Sequence, residues 1–126
     1  MPVETLACGD VVTVSTDAEI QEIATMMHEE SVGSVVITDG SEPVGIVTDR
    51  DLAIQVIANG ESPDGTTAGE IMSDAVQTID SDEGFYRATE LMSEHGIRRL
   101  PVVDSNYELT GILTVDDLNE LLAGEH

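Results

Sequence analysis

The sequence predicts a mixed α/β (α+β) fold built from two copies of one β-α-β-β-α unit. Three observations carry this. Residues 12–39, VTVSTDAEIQEIATMMHEESVGSVVITD, align without a gap on residues 77–104, QTIDSDEGFYRATELMSEHGIRRLPVVD, at an offset of 65. One added residue, in DSNYELTG against DGSEPVG, then moves the offset to 66, and GIVTDRDL continues onto GILTVDDL. Finally, the apolar pattern alternates between strand-like runs and helical spacing in the same order in both halves. A single loop insertion with the register kept on either side is what duplication leaves.

The elements follow in chain order. DVVTV and AVQTI are short β-branched runs that predict strands. Ile20, Ile23, Ala24 and Met27 recur at helical spacing, as do Phe85, Ala88, Leu91 and Met92 in the second copy. Asp17 and Asp82 stand where N-caps are expected, with acidic residues in the first turn, and Gly96 closes the second helix. SVVIT and LPVVD predict strands, and Val36, Ile37, Val102 and Val103 read as core. Gly-bearing or acidic loops turn these into VGIVT and TGILT, again strands. DRDLAIQVIANG and VDDLNELLAG predict helices, each stopped by Gly. The expected repeats are residues 1–60 and 61–126, with a linker at about 60–68 and a short helical turn at AGEIM. Half a chain of this length is marginal alone, so the halves are expected to share a core.

Charge sets the protein apart. Its 126 residues hold 26 Asp and Glu against four Arg and no Lys, a formal charge of −22. The aliphatic runs argue against an acidic disordered chain and for a folded protein with an acidic coat. Such a coat repels itself at low salt and is screened at high salt; it is similar to that of proteins from salt-loving archaea. Nucleic acid and anionic membranes need clustered cations and are excluded as partners. No apolar stretch has membrane-spanning length, and the start MPVETLACGD lacks a signal-peptide core. Cys8 is the single Cys and cannot form an internal disulfide, so a cytoplasmic location is expected.

No catalytic signature is present. The sequence has no Walker-type loop, HExxH, Cys/His cluster or Ser-centred elbow. His28, His95 and His126 lie far apart in the chain, and the carboxylates lack EF-hand spacing. Neither an enzyme nor a metal site is expected.

A binding site is better supported. In GILTVDD, Gly111 permits close approach of the backbone at the start of a strand. Thr114 stands at the strand-to-helix junction, where its hydroxyl can cap the helix, and Asp117 lies one turn inside. A carboxylate there can accept two hydrogen bonds from vicinal hydroxyls such as those of a ribose. The plainer reading makes Thr114 a cap and Asp117 an ordinary acid near a helix start; the same pair of readings applies to Thr48 and Asp51. Half of the chain's cations are adjacent, at Arg98 and Arg99, while the twin strand has Gly33 and Ser34. The strand therefore does not need the charges in order to fold. They face either a phosphate, which a guanidinium binds in bidentate fashion, or neighbouring carboxylates. Arg50 stands between Asp49 and Asp51 and serves a site or pairs with them, and Arg87 reads as a surface residue.

From about Val3 to Leu122, these paired units, with GIVTDRD and GILTVDD at matching places and with AGEIMSDAVQTI and GIRRLPVVD, resemble a tandem pair of CBS domains (cystathionine β-synthase domains), often called a Bateman module. The resemblance implies two pseudo-symmetric repeats packed sheet to sheet around two clefts, and a disc-like homodimer. It implies a regulatory, non-catalytic protein that needs no cofactor and binds AMP, ADP or ATP, with S-adenosylmethionine and NAD as further candidates. Asp117 and Asp51 are then ribose-binding positions, with Thr114 and Thr48 beside them, and Arg98 and Arg99 take the phosphates. Thr13, Thr78 and Pro101 border the base, with Thr13 grouped with Asp117 and Thr78 with Asp51. A stand-alone sensor that signals to a regulated protein by conformational change is the leading expectation. The alternative is a structural module that dimerises or docks with its clefts empty.

Overall fold

The β-branched runs of both repeats form short strands, and each repeat closes its own three-stranded sheet. The computed structural model describes residues 11–72 and 76–124, of which 121–124 are described by backbone alone. Cys8, His126 and Ala75, the first residue of the expected strand AVQTI, lie outside the described residues. The chain divides into two units, one spanning Val12–Val76 and the other taking the described residues from Gln77 onward.

The first unit runs β1 (Thr13–Ser15), α1 (Ile20–Glu30), β2 (Ser34–Asp39), β3 (Glu42–Thr48), α2 (Asp49–Asp51) and α3 (Ala68–Ile71). In its sheet β1 lies parallel to β2 and β2 antiparallel to β3. Ile20, Ile23 and Met27 on α1 pack with Val35, Ile37 and Val47 in one buried cluster, so the helical spacing read from the sequence does mark the core face. The β2–β3 turn puts Gly40 at φ +66, a left-handed conformation that Gly adopts at no steric cost.

The second unit runs β4 (Ile79–Asp80), α4 (Phe85–His95), β5 (Arg99–Val103), β6 (Leu109–Thr114) and α5 (Val115–Gly124). It repeats the pairing, with β4 parallel to β5 and β5 antiparallel to β6. The register is the same at the sequence offset: Val14 pairs with Ile37, and Ile79 with Val102. Both antiparallel pairs carry an irregularity at the same place, between Ile37 and Thr38 and between Val102 and Val103. The extra loop residue is absorbed by a turn in which the Asp104 carboxylate accepts from the Asn106 and Glu108 amides at 2.9 and 3.0 Å. Ala88, Leu91, Met92, Leu100, Val102, Leu113 and Leu118 make the core. Val36 and Val103 are also buried, as expected.

Three local expectations are corrected. Asp17 and Asp82 are not N-caps; Glu19 and Gly84 occupy those positions without a side-chain cap. At α1 the reason is visible. The Ile20 and Gln21 amides donate to the carbonyls of Thr66 and Pro63 at 2.9 and 3.1 Å, so backbone oxygens satisfy donors that a side chain was expected to satisfy. The helix expected from DRDLAIQVIANG is α-helical only at Asp49–Asp51 and continues as a π-helix over Leu52–Ile57. The widened bond from Ala58 N to Ala53 O (2.9 Å) closes it. Its exposed face carries Ile54 and Ile57. The strand expected from AVQTI narrows to Ile79–Asp80, since Val76, Gln77 and Thr78 make no ladder pair. Gly96 does end α4 in the left-handed region (φ 62), and its twin Ser31 takes the same conformation (φ 55).

Candidate functional site

The sequences TDRD and TVDD each place Thr at the end of a strand and Asp three residues later. In both units this spacing closes a reciprocal capping box. The Thr48 amide donates to Asp51 Oδ2 at 2.8 Å, and the Asp51 amide donates to Thr48 Oγ1 at 3.1 Å. The Thr114 amide donates to Asp117 Oδ2 at 2.8 Å, and the Asp117 amide donates to Thr114 Oγ1 at 3.1 Å. The capping of the helix by Thr is therefore present, and each carboxylate is held by its own box. Among the described residues these bonds engage only Oδ2 of Asp51 and of Asp117, which leaves Oδ1 of each to accept from a ligand. All four residues are half-buried.

The antiparallel register brings the Arg pair to the same place. Arg99, the first residue of β5, pairs with Thr114, the last residue of β6. The Arg98 carbonyl accepts from the Val115 amide at 2.9 Å, which ties the pair to the start of α5. Arg98 is exposed and Arg99 half-buried. Among the described residues the single ion pair is Arg87–Glu90 (3.5 Å), on the exposed face of α4. Neither Arg98 nor Arg99 is paired with a carboxylate there, and the same holds for Arg50. In a chain with 26 acidic residues, two adjacent guanidiniums without an ion pair among the described residues are unusual. The structural alternative for the pair, a salt bridge, has no support among the described residues.

The first unit reproduces this corner without the charges. Ser34 pairs with Thr48, and the Gly33 carbonyl accepts from the Asp49 amide at 3.0 Å. Arg98 and Arg99 thus have Gly33 and Ser34 as structural as well as sequence twins.

Thr13, Thr78 and Pro101 are each placed here within their own unit. Thr13 is exposed on β1, paired with Val36, with β2 lying between it and β3. Thr78 immediately precedes β4, and its hydroxyl donates to the Tyr107 hydroxyl at 3.4 Å, a contact with no signal in the residue pattern. Pro101 is buried in β5 opposite Ile112. Gly111 sits two residues inside β6, opposite Val102, not at its start. At its twin Gly45, an added Cβ would stand 2.6 Å from Met72 Sδ. His95 ends α4, exposed. A cavity of about 370 Å³ is lined by residues that include Thr78, Ile79, Glu83 and Arg87. Among the described residues, no group of three His, Cys, Asp or Glu side chains is arranged to hold a metal ion. No described helix is long and apolar enough to cross a membrane.

Comparison with known proteins agrees with this duplicated architecture. The family model described as "CBS domain" matches residues 3–57 and 68–124. Among curated proteins, MK0525 of Methanopyrus kandleri, described as uncharacterised, is 46% identical over 114 residues; the match covers 90% of this chain and 58% of that protein. The CBS domain-containing protein YhcV of Bacillus subtilis is 38% identical over 109 residues, covering 86% of this chain and 76% of that one. Among solved structures, the CBS domain pair of protein MJ0100, in complex with 5′-methylthioadenosine and S-adenosyl-L-methionine, superposes with a TM-score of 0.88 at 28% identity; it covers 100% of this chain and 98% of that one. The chain belongs to the CBS domain family and carries two copies of the domain.

Proposed function

We propose that this CBS pair is a regulatory module that binds an adenosine phosphate at the corner formed by Thr114, Asp117, Arg98 and Arg99. The observation that carries the reading is the Arg pair, without an ion pair among the described residues, at the start of the strand that pairs with Thr114, whose amide holds one oxygen of Asp117 and leaves the other open. Asp117 Oδ1 takes the ribose hydroxyls and the Arg pair takes the phosphate. The adenosine part rests on MJ0100, whose CBS pair is described with two adenosine compounds. The module has no catalytic role. Ligand binding biases a partner protein through a conformational change no larger than the ligand's differential affinity for the two states. The acidic coat fits a protein that works in a salty cytoplasm, where screening leaves geometry to carry recognition.

A thermal-shift panel with AMP, ADP, ATP, NAD and S-adenosylmethionine at molar salt tests this. A ligand at a hundredfold excess over its Kd adds about 2.7 kcal/mol. For a domain of this size, the melting temperature then rises by on the order of 10 °C. A flat response to all five compounds refutes the reading.

One observation favours a second role, self-association. Ile54 and Ile57 are 49% and 68% exposed on the π-helix, where the second repeat has Glu120 and Ala123. The apolar residues are thus particular to one repeat, as expected of a contact surface. Light scattering at molar salt is expected to show a dimer that becomes a monomer on Ile54→Glu. A dimer that persists in this variant excludes the π-helix from the interface.

A further inference from the structure

We propose that the opening turn of α4 is a docking surface for the chain's own residues 1–7, as the opening turn of α1 is for residues 66–72.

The turns that lead into the two helices match bond for bond. The Ala18 amide donates to the Ser15 carbonyl at 3.2 Å, and its twin Glu83 to Asp80 at 3.1 Å. The Ile23 amide donates to the Glu19 carbonyl at 3.1 Å, and its twin Ala88 to Gly84 at 3.4 Å. Neither helix has a side-chain cap. The first repeat completes its turn with another stretch of chain. The Ile20 amide donates to Thr66 (2.9 Å), and the carbonyls of Ala18 and Thr16 accept from the Ala68 and Gly69 amides (2.8 and 3.0 Å). In the second repeat, no described residue meets the twin groups, the Phe85 amide and the carbonyls of Glu83 and Ser81. Open backbone groups at a helix start are satisfied by protein or by water. The first repeat uses protein, and the sequence holds a matching piece for the second.

The segment that docks on α1 lies just ahead of β4, the first strand of the second repeat. Its counterpart lies just ahead of β1. The two CBS domain matches begin at Val3 and Ala68, the same offset of 65 that relates the repeats. That offset sets Met1 on Thr66, Val3 on Ala68, Leu6 on Ile71 and Ala7 on Met72. Ala68 is fully buried, and Ile71 and Met72 pack against the same core. All three counterparts are apolar. Residues 1–10 lie outside the described residues, and the twin supplies the register. Two features of the first repeat are not carried over. Pro2 has no amide to repeat the bond from the Thr67 amide to Glu70 Oε2 (3.4 Å). Glu4 replaces Gly69, where an added Cβ would stand 3.3 Å from the Thr16 carbonyl oxygen, so the neighbour must give slightly. Docking therefore rests on three main-chain bonds, from Phe85 to the Met1 carbonyl, from Val3 to Glu83 and from Glu4 to Ser81, and on burial of Val3 and Leu6.

Hydrogen exchange on the whole chain at molar salt tests the proposal. The Phe85 amide is expected to be protected, and Val3→Asp/Leu6→Asp to speed its exchange by about tenfold or more. The Ile20 amide, held by Thr66, should not change and so reports any general loss of structure. A Phe85 amide that exchanges as fast as free chain, or that ignores the variant, gives the surface to water and overturns the proposal. If both amides speed up together, the unaltered chain decides. Its single Cys, Cys8, adjoins the segment and takes a nitroxide label without substitution. Broadening of the Phe85–Ala88 amide signals by a label on the same chain supports the proposal. Its absence there, or broadening only from a label on a second copy, overturns it.

Discussion

Leu113→Ala is expected to destabilise the protein by about 3 kcal/mol, the largest loss for a single side chain among those considered. Leu113 is 0% exposed and pairs across the sheet with Leu100, also 0% exposed. Both belong to the core cluster that anchors β5 and β6, so a cavity there has rigid sheet on one side and α4 side chains around it. A close-packed interior relaxes only in part around such a gap. The twin substitution, Val47→Ala, removes less buried volume from an equally buried site and should cost less. Urea titration at molar salt measures both, as midpoint shifts with an unchanged slope. A loss under about 1 kcal/mol for Leu113→Ala would mean that this core is not packed as described.

Asp117→Ala is expected to act twice. It opens the capping box, which lowers stability by about 1 kcal/mol, and it removes the acceptor proposed for the ribose. Losing a charge-assisted acceptor to two hydroxyls weakens AMP binding by about a hundredfold. Asp51→Ala breaks the twin box, whose distances are the same, and should carry the same stability loss. The difference in AMP affinity between the two variants therefore isolates the ligand from the cap. Titration calorimetry alongside thermal unfolding separates the effects. If the two variants lose AMP affinity equally, Asp117 acts only through the cap.

The duplication made most of the architecture legible, because an element doubtful in one copy is checked by the other. The α1 and α4 core faces follow from the spacing of Ile20, Ile23 and Met27 and of Ala88, Leu91 and Met92. What was missed depends on contacts distant in sequence. No local pattern announces that α1 is capped by carbonyls more than forty residues away, whereas Asp17 has the residue type of an N-cap. The π-helix is equally hidden, because Leu52 and Val56 satisfy the inward spacing of an ordinary helix too. At the site the balance is similar. The Thr-x-x-Asp pattern already contains the capping box. The meeting of Arg99 with Thr114 needs the antiparallel register of β5 on β6, which the structure supplies and the offset between the copies does not. The contact of Thr78 with Tyr107 comes from the inserted turn, where Tyr107 is left-handed (φ 61), and has no counterpart to read from.

The carbonyls that cap α1 have a consequence for dissecting the molecule. Thr66 and Pro63 accept from the first helix, the Ala68 amide donates to the Ala18 carbonyl at 2.8 Å, and the Gly69 amide donates to Thr16 at 3.0 Å. The segment that looks like a tether is thus stitched to the front of the first repeat by four main-chain bonds. A fragment ending at Gly60 would leave two helix amides without acceptors, whereas one extending through Met72 keeps all four bonds. The stretch from Pro63 to Gly69 is therefore part of the first repeat's own hydrogen-bonded structure and not free chain.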